Sequence, residues 1–407
     1  MNSIRMSCCG SINACDNIQN IKGIIGAVIG DIIGSMYEFK NVPSRIKWFS
    51  ASDSVTDDSV LTIAVADALL HDIPFEQTLR TWGNKYPAAG FGKGFRRWMK
   101  TSSGTRNHSS ANGSAMRISP VGFYADNLEQ VLKLAKEATA PTHDSCDGIR
   151  SAQATAAAIF LAKEGKSKQE IKKYVEKSFR IAVYDDLQKT EDFAARYRGL
   201  DYVMAPESVT IALSAFMLGN DFEEVINTAI KFGVDTDTIA AIAGGVAAAF
   251  YGVPRVIAEQ AARYIPKRML DIINEFDGAN LPNLRITPPV VRRWGNDYVV
   301  VYGTNVEETE GERGYFETRL SRFTRVPLAG FPIHTIGTSI DTVKKDIQRL
   351  VTEVEANPDK IFLVEDVGIG SKSQIGLDVM APLFAPLKDK ENVYLYKDVW
   401  DRLHLNN

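Results

Sequence analysis

The sequence predicts an all-α domain of orthogonally packed helices followed by a small α/β domain. From Ile21 to Asp277, Ala-rich apolar segments alternate with charged segments, and no long run alternates apolar with polar residues. After residue 289, short β-branched runs alternate with an amphipathic segment, an order typical of α/β domains. We therefore expect an N-terminal tail over residues 1–20, the helical domain over 21–285 and the second domain over 295–407.

Several segments of the first domain combine Ala with larger apolar residues and carry few charges, which predicts buried helices. They are Thr56–Leu70, Ser151–Ala162, Val209–Leu218 and the segment from Ile239 onward. The Ser167–Lys177 segment has instead the charge pattern of a surface helix. Gly26, Gly30 and Gly34 recur every four residues on one helix face, which indicates close helix packing rather than a nucleotide-binding loop.

A change in composition indicates where the second domain begins. Gly278–Pro289 is rich in Pro, Asn and Gly, so we expect a linker there. Asp341–Glu355 has the pattern of an amphipathic helix, and the alternation of strand and helix favours some parallel pairing. The predicted strands are Tyr298–Tyr302, Pro332–Ile336 and Ile361–Val364.

Charge and cysteine content restrict the function classes. The formal net charge of the 407 residues is −3, so no overall basic field indicates nucleic acid or membrane binding. The longest uncharged apolar run, Ile239–Gly252, is too short to span a bilayer. A zinc site at Cys8, Cys9 and Cys15 lacks the usual ligand spacing, so reduced thiols are the favoured interpretation. Without an N-terminal apolar segment, we expect a soluble, cytoplasmic protein.

Two predicted buried helices begin with an unusual number of oxygen-bearing side chains. Thr56-Asp57-Asp58 precedes one helix, and Asp235-Thr236-Asp237-Thr238 precedes the other. Capping accounts for one Asp or Thr at each start, but it does not require two carboxylates. Within a regular helix, Asp235 and Asp237 would point about 200° apart, so their oxygens converge only if the segment straddles the helix start.

If these two helix starts face each other, four carboxylates meet in a buried place. Uncompensated buried carboxylates are costly, and two divalent cations would neutralise them. Because all the available ligand atoms are oxygens, Mg²⁺, Mn²⁺ or Ca²⁺ is favoured over Zn²⁺.

Five motifs in order resemble those of the ADP-ribosylglycohydrolases, which include the dinitrogenase reductase-activating glycohydrolase and the ADP-ribosylhydrolases. The resemblance covers about Ile21 to Asp277, and one departure is Val234, where many members have Gly. Residues Tyr298 to Leu403 loosely resemble an α/β module found in some bacterial and phage members. The five motifs are Gly26–Gly34 followed by Glu38, Thr56-Asp57-Asp58, Asn112–Arg117, Thr142-His143 and Asp235–Thr238.

The resemblance implies an all-α fold with a dinuclear Mg²⁺ centre, in which Mn²⁺ is an alternative metal. The metals would hold the ribose hydroxyls and a water beside the anomeric carbon. Asp58 or Asp237 would take a proton from that water, and Glu38 is the other candidate, as a general base or as a gate over the metals. The implied ligands are Thr56, Asp57, Asp58, Asp235, Asp237 and Thr238.

The resemblance also implies a substrate-binding set comprising Asn112, Gly113, Ser114, Met116, Arg117 and His143. The backbone N–H groups of Asn112-Gly113-Ser114 would line a diphosphate, although Asn-Gly also favours a plain turn. Arg117 would pair with a phosphate or, equally, with a carboxylate in the core. His143 would lie beside the ligand or cap a helix beginning near Asp144.

These observations favour a Mg²⁺-dependent hydrolase that removes ADP-ribose from a modified protein or a small adduct, with arginine the favoured attachment residue. One alternative is a hydrolase of another nucleoside-type ribosyl substrate. Another is a non-catalytic ADP-ribose binder, such as an immunity protein. In the second domain, Gly368-Ile369-Gly370-Ser371 is a candidate phosphate-binding turn, although a plain loop is the simpler interpretation.

Overall fold

The computed structural model describes residues 20–38, 40–200, 203–287, 298–305, 329–336, 338–367 and 375–404. The described residues up to 287 form helices, short turns and isolated bridges, and those from 298 onward form a parallel sheet with helices. This arrangement confirms the predicted all-α domain followed by a small α/β domain. Residues 1–19 of the predicted tail and the two candidate motifs at Cys8–Cys15 and Gly368–Ser371 lie outside the described residues.

The helices of the first domain follow the apolar segments of the sequence. They are α1 (Ile25–Ser35), α2 (Asp57–His71), α3 (Phe75–Lys85), α4 (Lys93–Trp98), α5 (Ser119–Tyr124), α6 (Leu128–His143), α7 (Cys146–Lys163), α8 (Lys168–Phe179), α9 (Leu187–Ala194), α10 (Ala205–Leu218), α11 (Phe222–Lys231), α12 (Thr236–Tyr251), α13 (Arg255–Ala261) and α14 (Lys267–Asp277). The predicted surface helix is α8, whose N-terminus has a reciprocal capping box between Ser167 and Glu170.

Helices α1 and α12 form an antiparallel pair at the centre of the domain. A Cβ on Gly30 would lie 2.0 Å from the Ala240 carbonyl oxygen, and one on Gly34 would lie 2.5 Å from the Asp237 Cα. The glycines are therefore needed for close packing, as the four-residue spacing predicts. Because the pair is antiparallel, the C-terminal end of α1 lies beside the N-terminal end of α12.

The start of α1 has a polar attachment to a distant helix. The Asp277 carboxylate accepts hydrogen bonds from the Ile24 and Ile25 N–H groups at 2.9 and 3.0 Å. A carboxylate from α14 thus caps a helix distant in sequence, and burial raises the pKa of Asp277 to about 7. No helix among the described residues is both long and apolar enough to cross a membrane.

The second domain contains four parallel strands in the order β2-β1-β3-β4. Helix α15 packs its apolar face on one side of the sheet, where Val343 and Leu350 meet Val301 and Phe362. Strand β1 is largely apolar because both of its faces are buried. The elements are β1 (Tyr298–Asn305), β2 (Ala329–Ile336), α15 (Ile340–Ala356), β3 (Ile361–Val364), α16 (Leu377–Leu383), β4 (Val393–Tyr394) and α17 (Lys397–His404).

The described part of the predicted linker is fixed to the sheet rather than extended between domains. Ile286 forms a parallel bridge with Leu395, beyond β4. The Thr287 hydroxyl lies 2.7 Å from the Val364 carbonyl oxygen and 2.9 Å from that of Tyr394. The segment therefore supplies partners to the exposed edge of β4, a contact that composition alone did not indicate.

Candidate active site

Three helix ends meet at one cavity of about 370 Å³. The antiparallel packing of α1 on α12 brings the end of α1 to the start of α12, and the start of α2 joins them. One wall of the cavity is acidic and contains Glu38, Asp57, Asp58, Asp235, Asp237 and Thr238. The opposite wall contains Asn112, Gly113, Met116, Arg117 and His143.

The start of α2 is organised by Thr56. Its extended backbone and side chain cap the helix, with Oγ1 accepting a hydrogen bond from the Asp58 N–H at 3.2 Å. Asp57 and Asp58 occupy the first turn, where the helix dipole favours negative charge. Thr56 does not line the cavity and is buried behind it.

Asp31 holds this helix start in place, although the sequence analysis did not identify it as a site residue. Its carboxylate accepts hydrogen bonds from the Thr56 N–H at 2.8 Å and the Thr56 hydroxyl at 2.6 Å. It also accepts from the Ser59 N–H at 3.1 Å and from the Ser59 hydroxyl. The one signal in the sequence is that Asp31 is the only charged residue of α1.

The start of α12 does not use its first carboxylate as a cap. Asp235 is the N-cap residue, yet its side chain makes no capping hydrogen bond. It accepts a 2.7 Å hydrogen bond from the Asn112 Nδ2 across the cavity instead. The Asp237 Oδ1 accepts the Thr238 N–H at 2.9 Å. Capping therefore does not account for Asp235, and its carboxylate faces the other acidic residues.

The carboxylates converge in two overlapping groups that share Asp237. Oxygens of Asp31, Asp58 and Asp237 lie within 4.8 Å of one another, and so do oxygens of Glu38, Asp235 and Asp237. Asp57 lines the same cavity but belongs to neither group. The two helix starts thus face each other, in the arrangement on which the predicted pair of cations depends.

Burial and mutual repulsion make this cluster electrostatically unfavourable for the protein alone. Burial, followed by the charges of Asp31 and Glu38, raises the pKa of Asp57 to about 7. Burial and neighbouring carboxylates also raise the pKa values of Asp58 and Asp237 well above their usual range. The Asp58 Oδ1 is buried and has no hydrogen-bond partner among the described residues. A bound cation would compensate both the repulsion and this unsatisfied oxygen.

On the opposite wall, Asn112–Ser114 forms one turn of 3-10 helix. The Asn112 Nδ2 reaches both Asp235 and the Ser208 hydroxyl, so this side chain joins the turn to the acidic wall. Ser114 is fully buried and does not line the cavity. Met116 also lines the cavity and contacts Thr238 of the acidic wall, with 3.9 Å between its sulfur and the Thr238 hydroxyl oxygen.

For Arg117 and for His143, the structure contradicts one of the two roles that the sequence left open. Arg117 is fully buried and donates to the Ala138 carbonyl and the Thr142 hydroxyl, rather than pairing with a core carboxylate. His143 is the last residue of α6, so the suggestion that it caps the next helix is wrong. That helix, α7, is capped by Ser145, whose hydroxyl accepts the Gly148 N–H.

The cavity also includes residues that motif spacing did not reveal. The segment between α3 and α4 contributes Gly90 and Gly92, the first residue of α4 contributes Lys93, and the loop before the 3-10 turn contributes Asn107 and Ser109. These residues have no distinctive pattern in the sequence. Their position depends on long-range contacts, such as the hydrogen bond between the Asn107 N–H and the Pro141 carbonyl.

Comparison with known proteins places this geometry in a family. A sequence model described as ADP-ribosylglycohydrolase matches residues 18–283. The chain is 24% identical over 327 residues to ADP-ribosylhydrolase ARH3 of Bos taurus, covering 61% of this chain and 89% of that protein. It is 25% identical over 270 residues to ADP-ribosylarginine hydrolase Tri1 of Pseudomonas putida strain GB-1, covering 58% of this chain and 71% of that protein.

A solved structure described as an ADP-ribosylglycohydrolase-related protein complex aligns with a TM-score of 0.49 and 22% identity. The alignment covers 67% of this chain and 96% of that one. The match to the family's sequence model spans well over half of the 407 residues and includes both acidic helix starts. The chain therefore belongs to the ADP-ribosylglycohydrolase family.

Proposed function

We propose that the protein hydrolyses the ribosyl bond of ADP-ribosylated proteins, with arginine the favoured attachment residue, or of small ADP-ribosyl adducts. The observation that carries this proposal is the convergence of the two acidic helix starts on one wall of a cavity. The opposite wall carries a buried guanidinium and an imidazole, which suit a diphosphate. The name of the Tri1 relative, an ADP-ribosylarginine hydrolase, supports the preference for arginine.

The acidic wall suits two Mg²⁺ ions, with Mn²⁺ as an alternative. Thr56, Asp57 and Asp58 would hold them from one side, and Asp235, Asp237 and Thr238 from the other. The all-oxygen donor set, the unsatisfied Asp58 Oδ1 and the mutual repulsion of the carboxylates support this assignment. Divalent cations, when bound, polarise oxygen ligands and lower the pKa of water.

The protein's own groups would orient the substrate and accept a proton. Asp58 and Asp237 are candidates to take a proton from the attacking water, because both face the cavity from the acidic wall. Glu38 is the third candidate, as a base or as a gate. It is partly exposed and lies with Asp235 and Asp237, so it is the most accessible of the three from solvent.

The opposite wall would hold the diphosphate. Asn112 and Gly113 line the cavity, so their backbone N–H groups are the ones that would contact the diphosphate, whereas Ser114 of the same turn is buried behind them. The Nε and Nη1 atoms of Arg117 are buried without hydrogen-bond partners among the described residues. Burial lowers the pKa of Arg117 to about 9, partly offset by the nearby Asp57 charge, and these two nitrogens would donate to a bound diphosphate. Removing charge at Arg117 should accordingly weaken binding of ADP-ribose itself.

The test measures release of ADP-ribose from proteins modified on arginine or on serine, with Mg²⁺ present. We expect release by the wild-type protein and a loss of roughly 100-fold or more in Asp57→Asn and Asp237→Asn, because each change removes a carboxylate that would hold a cation. Asp147→Asn is the matched control, because this first-turn carboxylate of α7 is not part of the cavity wall. Absence of release from either substrate, with ADP-ribose still bound, would contradict hydrolysis and support a non-catalytic binder.

A further inference from the structure

A chain of hydrogen bonds connects Arg117, Thr142 and His143 behind the cavity wall. The Arg117 Nη2 lies 2.7 Å from the Thr142 Oγ1, and that oxygen lies 2.7 Å from the His143 Nδ1. Arg117 is held in addition by the Ala138 carbonyl at 3.2 Å. All three side chains are buried, with Arg117 and Thr142 fully so, and the chain is therefore shielded from water.

The chemistry of these groups fixes the direction of each hydrogen bond. A guanidinium can only donate, so the Thr142 oxygen accepts from Arg117. If the Thr142 oxygen also accepted from His143, its own buried hydrogen would have no acceptor among the described residues, so that hydrogen is directed to the His143 Nδ1. The Nδ1 atom therefore accepts, and a neutral imidazole in this position carries its hydrogen on Nε2.

The neutral form of His143 is favoured by its surroundings. Burial and the nearby Arg117 charge hold the pKa of His143 well below its usual range. The ring thus has a single hydrogen near neutral pH. The position of that hydrogen is decided by the two residues behind the ring rather than by solvent.

The Nε2 side of His143 faces the cavity beside the 3-10 turn. A Cβ added to Gly113 would lie 3.0 Å from the His143 Nε2 and 3.1 Å from its Cε1. Both residues line the cavity, and no described residue forms a hydrogen bond with Nε2. The glycine leaves room for the ring edge, and the Nε2 hydrogen is available to a ligand.

We propose that Arg117 and Thr142 are positioning residues that fix His143 as its Nε2–H tautomer, which makes His143 an obligatory hydrogen-bond donor to an oxygen of the bound substrate. The substrate part of this inference rests on the proposed function, in which the oxygen belongs to the diphosphate or the ribose. The tautomer itself is a property of the ligand-free protein.

The tautomer is tested by long-range ¹H–¹⁵N NMR of the full-length protein labelled with ¹⁵N-histidine, at about pH 8 without ligand, well above the ordinary histidine pKa. The protein has five histidines, and His143→Gln identifies the signals of interest. We expect the Nε2–H pattern for His143. His404, whose Nδ1 lies 2.9 Å from the Trp400 carbonyl, provides an internal reference with the Nδ1–H pattern. An Nδ1–H or doubly protonated His143 would overturn the proposal.

Variants of Thr142 test the positioning role. Thr142→Val removes the hydroxyl at nearly constant volume, so we expect a mixed tautomer and about tenfold weaker ADP-ribose binding, whereas Thr142→Ser should retain both properties. An unchanged tautomer and affinity in Thr142→Val would overturn the role of this residue. An Nε2–H pattern in a wild-type protein that releases no ADP-ribose would support the tautomer and contradict the proposed function.

Discussion

Replacing Asp31 by Asn tests how the acidic wall is held. Asp31 is fully buried in α1, and its carboxylate oxygens accept hydrogen bonds from Thr56 and Ser59. In Asp31→Asn, one oxygen becomes an NH₂ group, and an NH₂ group cannot accept the Thr56 hydroxyl. That hydroxyl would then donate only to the Asp58 Oδ2, at 3.2 Å, and accept from the NH₂ group, which occupies a lone pair that a bound cation would use.

The expected size of this effect follows from the hydrogen bond that the substitution removes. The Thr56 hydroxyl donates to Asp31 at 2.6 Å, and a hydrogen bond to a charged group contributes about 1.5–3 kcal/mol. Changes to residues that orient metal ligands typically weaken metal binding by about 10–100-fold. This factor corresponds to about 1.4–2.7 kcal/mol, which agrees with the loss of one such hydrogen bond.

The assay is titration calorimetry with Mn²⁺, accompanied by circular dichroism to verify that the variant folds. Asp53→Asn is the matched control. Asp53 is also fully buried and accepts from the Ser50 N–H at 2.7 Å and hydroxyl at 2.8 Å, but it does not line the cavity. The control should bind Mn²⁺ like the wild type. Binding by Asp31→Asn within about twofold of the wild-type affinity, well short of the expected weakening, would show that Asp31 does not hold the metal-binding residues in place.

Three further predictions concern stability. Gly30→Ala should lower the free energy of unfolding, measured in urea, by at least about 1–3 kcal/mol, because the added Cβ would meet the Ala240 carbonyl oxygen. Gly94→Ala is the control and should be neutral or stabilising, because the nearest atom to its added Cβ would be 3.5 Å away. Folding raises the pKa of Asp277 to about 7, so the folded state binds this proton more tightly than the unfolded state. The free energy of unfolding should therefore fall by on the order of 4 kcal/mol as the pH rises from about 4 to about 7. Asp277→Asn should flatten this pH dependence, and an unchanged slope in the variant would argue against Asp277 as its source. Chelation of divalent cations should lower the Tm, because it removes the stabilisation that a bound ion provides, about 2.7 kcal/mol when the Mg²⁺ concentration is about 100 times its Kd. An unchanged Tm would count against a metal centre.

The parts of the site that could be predicted from sequence are those determined by local spacing. Thr56-Asp57-Asp58 and Asp235–Thr238 each straddle a helix start, and each contributes carboxylates to the cavity because of that position. The role of the α1 glycines was also predictable, since a four-residue period defines one helix face. The fold class followed from the change in composition near residue 289.

Long-range contacts explain what could not be predicted. Asp31 joins the site through a partner 25 residues away, and Asn112 reaches Asp235 across 123 residues. The wrong suggestion for His143 has a local cause. Pro141 lies inside α6, where proline normally ends a helix, and α6 nevertheless continues to His143. The contacts of the linker with β4 depend on tertiary structure and leave no mark in the sequence.

Anomalous diffraction from crystals soaked in Mn²⁺ shows whether two cations bind between the two acidic helix starts. We expect two anomalous peaks between Thr56-Asp57-Asp58 and Asp235–Thr238, and both should disappear in Asp57→Asn/Asp237→Asn crystals. Mn²⁺ peaks found elsewhere, or none at this cluster under conditions in which the protein releases ADP-ribose, would contradict this expectation.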